Sequence, residues 1–187
     1  MLDRRVPYDL LRAGRNGRAD SAICIELVSG RGLLLLQSTS ESRLQEALTS
    51  EIGVSLPGPQ RASVLQGYAL LWLTPSEWLL EHPQAETDAL QAAFTARLAS
   101  SLAAVVDMTD AFVYLQISGD RASDGLMTGC SLDLRAHAFP ASSVARTALA
   151  DVPAIIWNPG APDRYRCLVD RSVSVHLWNW LHHLSWQ

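Results

Sequence analysis

Residues 67–81 read Gly-Tyr-Ala-Leu-Leu-Trp-Leu-Thr-Pro-Ser-Glu-Trp-Leu-Leu-Glu, and this stretch decides the fold. Two apolar runs, 67–73 and 77–81, lie on either side of Thr-Pro-Ser, which is a turn sequence. Aliphatic and aromatic runs of this length, bounded by turn residues, are typical of β-strands. Since strands joined by so short a turn pair side by side, the stretch predicts an antiparallel hairpin and a sheet that contains it.

The sequence before this hairpin predicts a second hairpin and a helix. The apolar runs 22–28 and 33–37 are separated by Ser-Gly-Arg-Gly, which predicts that the two runs pair with each other. Ser40 is a candidate helix N-cap, and Gly53 is a candidate helix end. A helix is therefore expected between Ser40 and Gly53.

The sequence after the hairpin predicts a helix between Pro83 and Ser101, because apolar residues recur there three and four positions apart. These residues are Leu90, Ala93, Phe94, Leu98 and Leu102. The second half of the chain then runs through the same order of elements. Its predicted elements are strands over 103–107, 112–117, 154–157 and 164–169, a short helix after Asp120, and a final helix over 171–184. Residues 144–150 fit either a strand or a helix.

These elements predict an α+β protein in which helices pack on antiparallel sheets. Two topologically similar halves, about 21–102 and 103–187, are expected to form a single domain over 21–187. With 187 residues, the chain is long enough to bury a core without disulfides or metals. Residues 1–20 are rich in arginine and are expected to be a flexible arm that binds an acidic partner.

Composition excludes several classes of function. All fifteen basic residues are arginines, which rules out a Schiff-base lysine, a lysine general base and the lysine of a phosphate-binding loop. The formal net charge of −4 argues against nucleic acid as a partner, because phosphate contacts dominate such binding. No apolar run is long enough to span a membrane and none has the pattern of a signal peptide, so the expected location is the cytoplasm.

No catalytic or metal site can be assembled from the spacing of the reactive residues. Cys24, Cys130 and Cys167 are widely spaced and lie in or beside apolar stretches, where a thiol usually acts as a small hydrophobic group. Gly30-x-Gly32 lacks the third glycine of a dinucleotide loop, and a strand follows it instead of a helix. Turn and surface roles account for most aspartates of the kind found at positions 107, 110 and 163. We therefore expect no catalytic residue, cofactor or metal on this chain.

The final helix contains the candidate partner interface. Five apolar residues at helical spacing are predicted to face the core: Val173, Leu177, Trp180, Leu181 and Leu184. Trp178 is then predicted to lie on the opposite, polar face. A tryptophan there indicates either contact with another chain or cover by a loop of the same chain. The candidate interface residues are Arg12, Trp178, His182 and Trp186.

Several segments resemble known families. The run Val105-Val-Asp-Met-Thr-Asp110, the strand 113–117, then Ser118-Gly-Asp-Arg-Ala122 and Leu126 resemble the opening of the glycine-cleavage T-protein superfamily. A longer set of blocks resembles the gamma subunit of heterotetrameric sarcosine oxidase. These blocks are Leu71-Trp-Leu-Thr-Pro-Ser-Glu-Trp-Leu-Leu80, Gly129-Cys-Ser-Leu-Asp-Leu134, Ala138-Phe-Pro140, Val144-Ala-Arg-Thr147, and Arg171-Ser172 with Leu177-Trp-Asn-Trp-Leu181.

The resemblance implies a fold like that of the T-protein folate-binding domain and a role inside a larger enzyme. Complexes of this family oxidise sarcosine to glycine, reduce oxygen to hydrogen peroxide and can pass a one-carbon unit to tetrahydrofolate. The resemblance implies alpha, beta and delta subunits as partners. It also implies that FAD, FMN, NAD, tetrahydrofolate and zinc lie on those subunits, with none on this chain.

The resulting prediction is a non-catalytic gamma-type subunit that contributes to the assembly and stability of its complex. Two alternatives stay open. The first is a free-standing folate-binding protein with a T-protein-like fold. The second is an independent hydrolase that uses a cysteine or an aspartate, although no spacing in the sequence supports it.

Overall fold

The structure, a computed structural model, describes residues 15–16 and 22–184. In chain order the strands are β1 Arg15–Asn16, β2 Cys24–Leu27, β3 Arg31–Ser38, β4 Ala62–Leu65, β5 Tyr68–Thr74, β6 Glu77–Pro83, β7 Ala103–Asp107, β8 Phe112–Ser118, β9 Val144–Leu149, β10 Val152–Trp157 and β11 Arg164–Asp170. The α-helices are α1 Glu41–Ile52, α2 Thr87–Leu98, α3 Ala122–Met127 and α4 Ser174–Leu184. Short 3-10 turns, Gln84–Glu86 and Arg171–Val173, precede α2 and α4.

The strands form two sheets, which confirms the α+β class with antiparallel sheets. The five-stranded sheet has the order β4-β5-β6-β3-β7, and the six-stranded sheet has the order β1-β2-β8-β11-β10-β9. The chain divides into two compact units. One contains Ser29–Ala111 and Ser142–Ala145, and with them the five-stranded sheet. The other contains Phe112–Ala141 and the chain from Arg146 onward, together with the segment that ends at Val28.

The hairpin predicted from residues 67–81 is confirmed. β5 and β6 pair antiparallel with Trp72 opposite Trp78, and a bulge follows Trp72. On one face of this sheet, side chains from three strands pack against α1 and α2. The fully buried Trp78 and Phe94 are the largest side chains of this core. The apolar residues at helical spacing therefore supply the second layer of the core.

The predicted pairing of 22–28 with 33–37 is wrong. β2 pairs with β8, with Glu26 opposite Gln116, whereas β3 pairs with β6 and β7. The glycine-containing connection therefore passes between two sheets instead of closing a hairpin. Gly30 adopts a φ of 72° in this connection, and its carbonyl accepts a bond from the Gln84 N–H.

The predicted helix boundaries agree with the structure at α1. Ser40 is extended just before the helix, and Gly53 ends it with a φ of 69°, the left-handed conformation that glycine adopts without strain. The open alternative over 144–150 resolves as the strand β9. Leu102 was expected in the apolar stripe of the helix after Pro83, but α2 ends at Leu98 and Leu102 is 79% exposed.

The compact units do not coincide with the predicted halves 21–102 and 103–187. The reason is that β2 belongs to the six-stranded sheet and β7 to the five-stranded sheet. Of the predicted arm 1–20, only Arg15–Asn16 falls within the described residues, and there the chain forms a strand that pairs with β2. No helix in the described part of the chain has both the length and the apolar character needed to cross a membrane.

Candidate partner interface

The final helix does not expose the tryptophan that the sequence predicted to be exposed. Trp178 is only 6% exposed, and it lies on the buried side of α4 together with Leu177 and Leu181. The prediction that Trp178 lies on an exposed polar face is therefore wrong, and its burial agrees with the alternative that the same chain covers it. Trp180, expected in the core, is half-buried. His182 is also half-buried, whereas Arg12 and Trp186 lie outside the described residues.

The phase of α4 explains this exchange of the two tryptophans. The buried positions are Ser174, Leu177, Trp178 and Leu181, which recur at three and four residues. A 3-10 turn precedes the helix and contains Val173, which was also expected in the stripe and is only half-buried. The buried Ser174 hydroxyl is satisfied because it donates to the Arg171 carbonyl at 2.7 Å.

Trp180 packs against a glycine from another of the recognised blocks. A Cβ placed on Gly129 would lie 2.8 Å from the Cη2 atom of Trp180, which is closer than real side chains come. The Gly129 carbonyl accepts a bond from the Ala150 N–H at 2.9 Å. The Ala150 carbonyl in turn lies 3.0 Å from His176 Nε2, which must donate to it. The blocks at 129–134 and 177–181 thus meet at the turn that follows β9.

The Gly-x-x-Ala motif also has a packing explanation. Gly119 has a φ of 124°, and a Cβ there would lie 2.9 Å from the Ala22 carbonyl carbon. Arg121 donates its N–H to the Ala22 carbonyl at 3.1 Å, and Ala122 is fully buried. The motif therefore allows close approach of two chain segments before α3 begins, and none of these contacts involves a catalytic group.

An aromatic cluster lies on the six-stranded sheet. The Arg166 guanidinium is 5.6 Å from the ring centre of Tyr114 and 5.5 Å from that of Trp157. Trp157 Nε1 donates to the Tyr114 hydroxyl at 3.0 Å, and Arg166 donates to the same oxygen at 3.2 Å. Cation–π contacts and shared hydrogen bonds of this kind fix side chains in place. We interpret the cluster as structural.

A second polar cluster lies in the five-stranded sheet, around a buried histidine. His82 is fully buried and stands directly opposite Gly32 on the neighbouring strand. Burial is the main reason that the pKa of His82 is lowered, and the bond to the Pro83 carbonyl opposes this only in part. The adjacent Arg31 donates to the nearly buried Glu81 carboxylate at 2.8 Å. Arg31 and Glu81 are therefore bound to each other, whereas His82 Nε2 has no hydrogen-bond partner among the described residues. None of these residues lines the two clefts described below.

The reactive residues singled out in the sequence have structural partners. Burial, with a contribution from Cys130, raises the pKa of the Cys167 thiol to about 12, so the thiol is protonated at neutral pH. Asp107 accepts a bond from the Thr109 N–H at 2.9 Å and closes a turn. Asp163 has a φ of 48°, and its carbonyl accepts from the Gly119 N–H. Within the described residues, no cluster of histidine, cysteine and carboxylate side chains could hold a metal ion.

The described surface has an open cleft on each compact unit. The first, of about 470 Å³, is lined by α1, the loop 56–59 and the side chain of Trp72. The second, of about 460 Å³, has a floor that includes Phe112, Ile155 and Leu168 and is flanked by Arg146 and Asp170. No buried polar or charged side chain of the described chain lines either cleft. The polar side chains that line the clefts, such as Glu41 and Gln45 in the first and Arg146 and Asp170 in the second, are all exposed or half-buried.

The sequence reasoning missed the apolar residues that the structure does expose. Among the described residues these are Val64, Leu65, Leu102 and Val106. They occupy the two edges of the five-stranded sheet, at β4 and at β7. The pair Ser100-Ser101 could have ended the predicted helix earlier and so released Leu102 from it, because serine is a poor residue for a helix interior.

The comparison with known proteins supports one family. A sequence model described as the sarcosine oxidase, gamma subunit family matches residues 37–187. The sarcosine oxidase subunit gamma of Corynebacterium sp. strain U-96 is 31% identical over 166 residues, which cover 87% of this chain and 78% of the relative. The fold matches a chain of the heterotetrameric sarcosine oxidase from Corynebacterium sp. U-96 in complex with pyrrole 2-carboxylate. The TM-score is 0.85 at 27% identity, over 97% of this chain and 94% of that chain.

A more distant match concerns the fold alone. The glycine cleavage system aminomethyltransferase T from Bartonella henselae superposes with a TM-score of 0.60 at 15% identity. The match covers 84% of this chain and 44% of that chain. The predicted T-protein-like fold is therefore confirmed. The family sequence model spans most of this chain, and the relative from Corynebacterium sp. strain U-96 is 31% identical over 87% of this chain. The chain therefore belongs to the sarcosine oxidase gamma subunit family.

Proposed function

We propose that this chain is a non-catalytic subunit of a heterotetrameric sarcosine oxidase, in which it contributes to assembly and stability. The observation that carries the proposal is the fold match to a chain of such a heterotetramer over 97% of this chain. The partners are then the alpha, beta and delta subunits. The complex would oxidise sarcosine to glycine with formation of hydrogen peroxide, and would transfer the one-carbon unit to tetrahydrofolate.

The cofactors of the complex are assigned to the other subunits. FAD, FMN, NAD, tetrahydrofolate and zinc would each need a set of converging polar groups or ligands. In the described chain the buried polar side chains lie away from both clefts. The lack of a buried polar group in either cleft of the described surface supports this assignment, in which the contribution of the subunit is to present surfaces that hold the complex together.

Co-expression tests the proposal. The chain is tagged, expressed together with the genes that neighbour its own, and purified under mild conditions. We expect a yellow complex that contains the tagged chain in stoichiometric amount and forms peroxide when sarcosine is added. A matched expression without the tagged chain should yield less intact complex but the same activity per bound flavin, because the chain supports assembly and not chemistry.

A colourless protein that purifies alone would refute the proposal. Titration of that protein with tetrahydrofolate would then test the alternative of a free-standing folate-binding protein. A complex that forms in full yield without the chain, but has lost activity per bound flavin, would also contradict the non-catalytic role.

A further inference from the structure

The edge of the five-stranded sheet at β7 carries two of the exposed apolar side chains. Leu102, just before the strand, is 79% exposed, and Val106 is 41% exposed. None of the five residues of β7 is buried. The strand pairs with β3 on one side and ends the sheet on the other. An open edge with exposed apolar residues is a template for a strand from another chain.

Hydrogen bonds show which backbone groups of β7 point away from the sheet. Leu102 and Met108, on either side of the strand, both bond to the β3 side, with the Met108 N–H donating to Leu33 at 2.8 Å. In an antiparallel pair, residues alternate between facing the partner strand and facing outward. The residues that turn their backbone outward are therefore Ala103, Val105 and Asp107.

One of these outward groups already accepts a hydrogen bond from a side chain. Gln91 of α2 donates its amide to the Val105 carbonyl at 3.3 Å. The bond is longer than the usual range and joins a half-buried side chain to a strand edge. It satisfies the carbonyl when no neighbouring strand is present. A strand that docks here would replace it with a backbone N–H.

The other edge of the same sheet is less open. The Ala62 N–H of β4 donates to the Ser142 carbonyl at 2.8 Å, and Arg61 forms an antiparallel bridge with Ser143. A segment of the same chain therefore already occupies part of the outer side of β4. β4 also has only four residues, against five in β7.

The charge around β7 indicates the chemistry of the partner. Between Ala85 and Ala111 the acidic residues are Glu86, Asp88, Asp107 and Asp110. The single basic residue in this span is Arg97, which is paired with Glu51 at 2.5 Å. Asp88 and Asp107 are exposed, and Asp88 lies one turn before Gln91 on the same side of α2. The open edge is therefore flanked by negative charge near Asp107, whereas Arg43 donates to Ser100 Oγ at 2.6 Å near the start of the strand.

We propose that β7 is the docking edge for an extended segment of a partner subunit that carries apolar and basic side chains. The segment adds a sixth strand beside β7, covers Leu102 and Val106, and places its positive charge near Asp88 and Asp107. This inference rests on the proposed function, because it requires that the chain acts inside a complex. It adds the position of the interface and the chemistry of the partner.

Two opposite charges at one exposed position test the partner chemistry. Val106→Lys and Val106→Asp both remove the apolar contact, but only lysine repels a basic segment. In the co-expressed complex we expect Val106→Lys to reduce recovery of partner subunits on the tagged chain by about 10-fold or more, and Val106→Asp to reduce it less. The matched controls, Val64→Lys and Val64→Asp on the β4 edge, should leave recovery unchanged.

Hydrogen exchange of the intact complex tests the strand pairing itself. The outward amides of Ala103 and Val105 exchange slowly only if a strand covers them. We expect peptides that span 103–107 to exchange more slowly in the complex than in the isolated full-length chain, whereas peptides that span 62–65 should exchange alike in both. Equal exchange of 103–107 in the complex and in the isolated chain would overturn the added strand.

The outcomes separate this inference from the proposed function. If the wild-type chain recovers no partner, both the proposed function and the docking edge at β7 are refuted. If the wild type recovers its partners and Val106→Lys does so equally well, only the docking edge falls. Loss of binding in the Val64 variants alone would move the interface to β4 and refute the proposal. Recovery of a second copy of this chain through Val106 would refute the basic partner.

Discussion

Gly32 lies under the ring of His82, and its replacement by alanine should destabilise the fold strongly. The two residues face each other across β3 and β6. A Cβ at Gly32 would lie 2.8 Å from His82 Nε2 and 2.6 Å from Thr87 Oγ1, and closer still to His82 Cε1. Neither neighbour can move freely. His82 is fully buried and bound to the Pro83 carbonyl, and Thr87 donates to the Gln84 carbonyl at 2.8 Å.

The expected cost lies at the upper end of the range for overpacking a core. Such substitutions cost about 1–3 kcal/mol, and two immobile neighbours at this distance favour about 3 kcal/mol. For a chain of this size, that corresponds to a decrease in the melting temperature of roughly 6–12 °C. Urea unfolding of the full-length chain, followed by tryptophan fluorescence, measures the change in the free energy of unfolding.

A matched control and a double mutant test whether the loss of stability comes from the contact with His82. Gly58→Ala adds the same methyl group where no atom lies within 4 Å, so its effect should stay within about 0.5 kcal/mol. In a His82→Ala background, Gly32→Ala should cost about 1–2 kcal/mol less than in the wild type, because only the Thr87 contact then remains. If Gly32→Ala and Gly58→Ala unfold at the same urea concentration, the packing argument is wrong.

Two further predictions concern other buried groups. Trp178→Ala should lower the free energy of unfolding by about 3–5 kcal/mol because it empties a buried site. The control Asn179→Ala, at the exposed neighbour, should change it by less than about 0.5 kcal/mol. Equal effects of the two substitutions in urea unfolding would restore the polar-face prediction. Burial lowers the pKa of His82 in the folded chain, so the unfolded chain binds this proton more tightly. The contribution of His82 to the free energy of unfolding should therefore be complete above about pH 6.5 and decrease as the pH falls below that value. The slope reaches at most about 1.4 kcal/mol per pH unit for one group, and a His82→Leu variant that keeps the same slope in urea unfolding at several pH values would exclude His82 as its source.

The sequence predicted most of the elements but not all of their pairings. The two strands in residues 67–81 pair with each other, so a turn and two apolar runs are enough to predict β5 and β6. β2 and β3 have equally good strand sequences and a suitable connection, yet they lie in different sheets. The decisive partner of β2 is β8, where Gln116 donates to Glu26 at 2.9 Å across 90 residues. Apolar periodicity contains no information about a partner so distant in sequence.

The face of the final helix shows a second limit of the same kind. Leu177 and Leu181 lie at the centre of the apolar stripe in the prediction and in the structure. A tryptophan lies on each side of this pair, Trp178 on one side and Trp180 on the other. Apolar content cannot choose between Trp178 and Trp180. In the structure Trp178 is buried, and Trp180 packs against Gly129, which is distant in sequence. The exposed edge at β7 was missed for a related reason, since Val105 and Val106 are adjacent and only one of them can face the core.

Three arginines of the described chain make contacts that a lysine could not reproduce. Arg31 binds the Glu81 carboxylate and also donates to the Gly67 carbonyl, and Arg166 contacts two aromatic rings and a hydroxyl. Arg135 donates through two nitrogens to the Asp133 carboxylate, and these bonds hold the pKa of that carboxyl at about 2. Each contact uses the planar fork of a guanidinium, which the single ammonium of lysine cannot reproduce. Near the end of β7, the surface carries the exposed carboxylates of Asp88 and Asp107. A partner that docks there must bring the compensating charge, which is why the sign of the residue placed at position 106 decides between a basic segment and any other occupant.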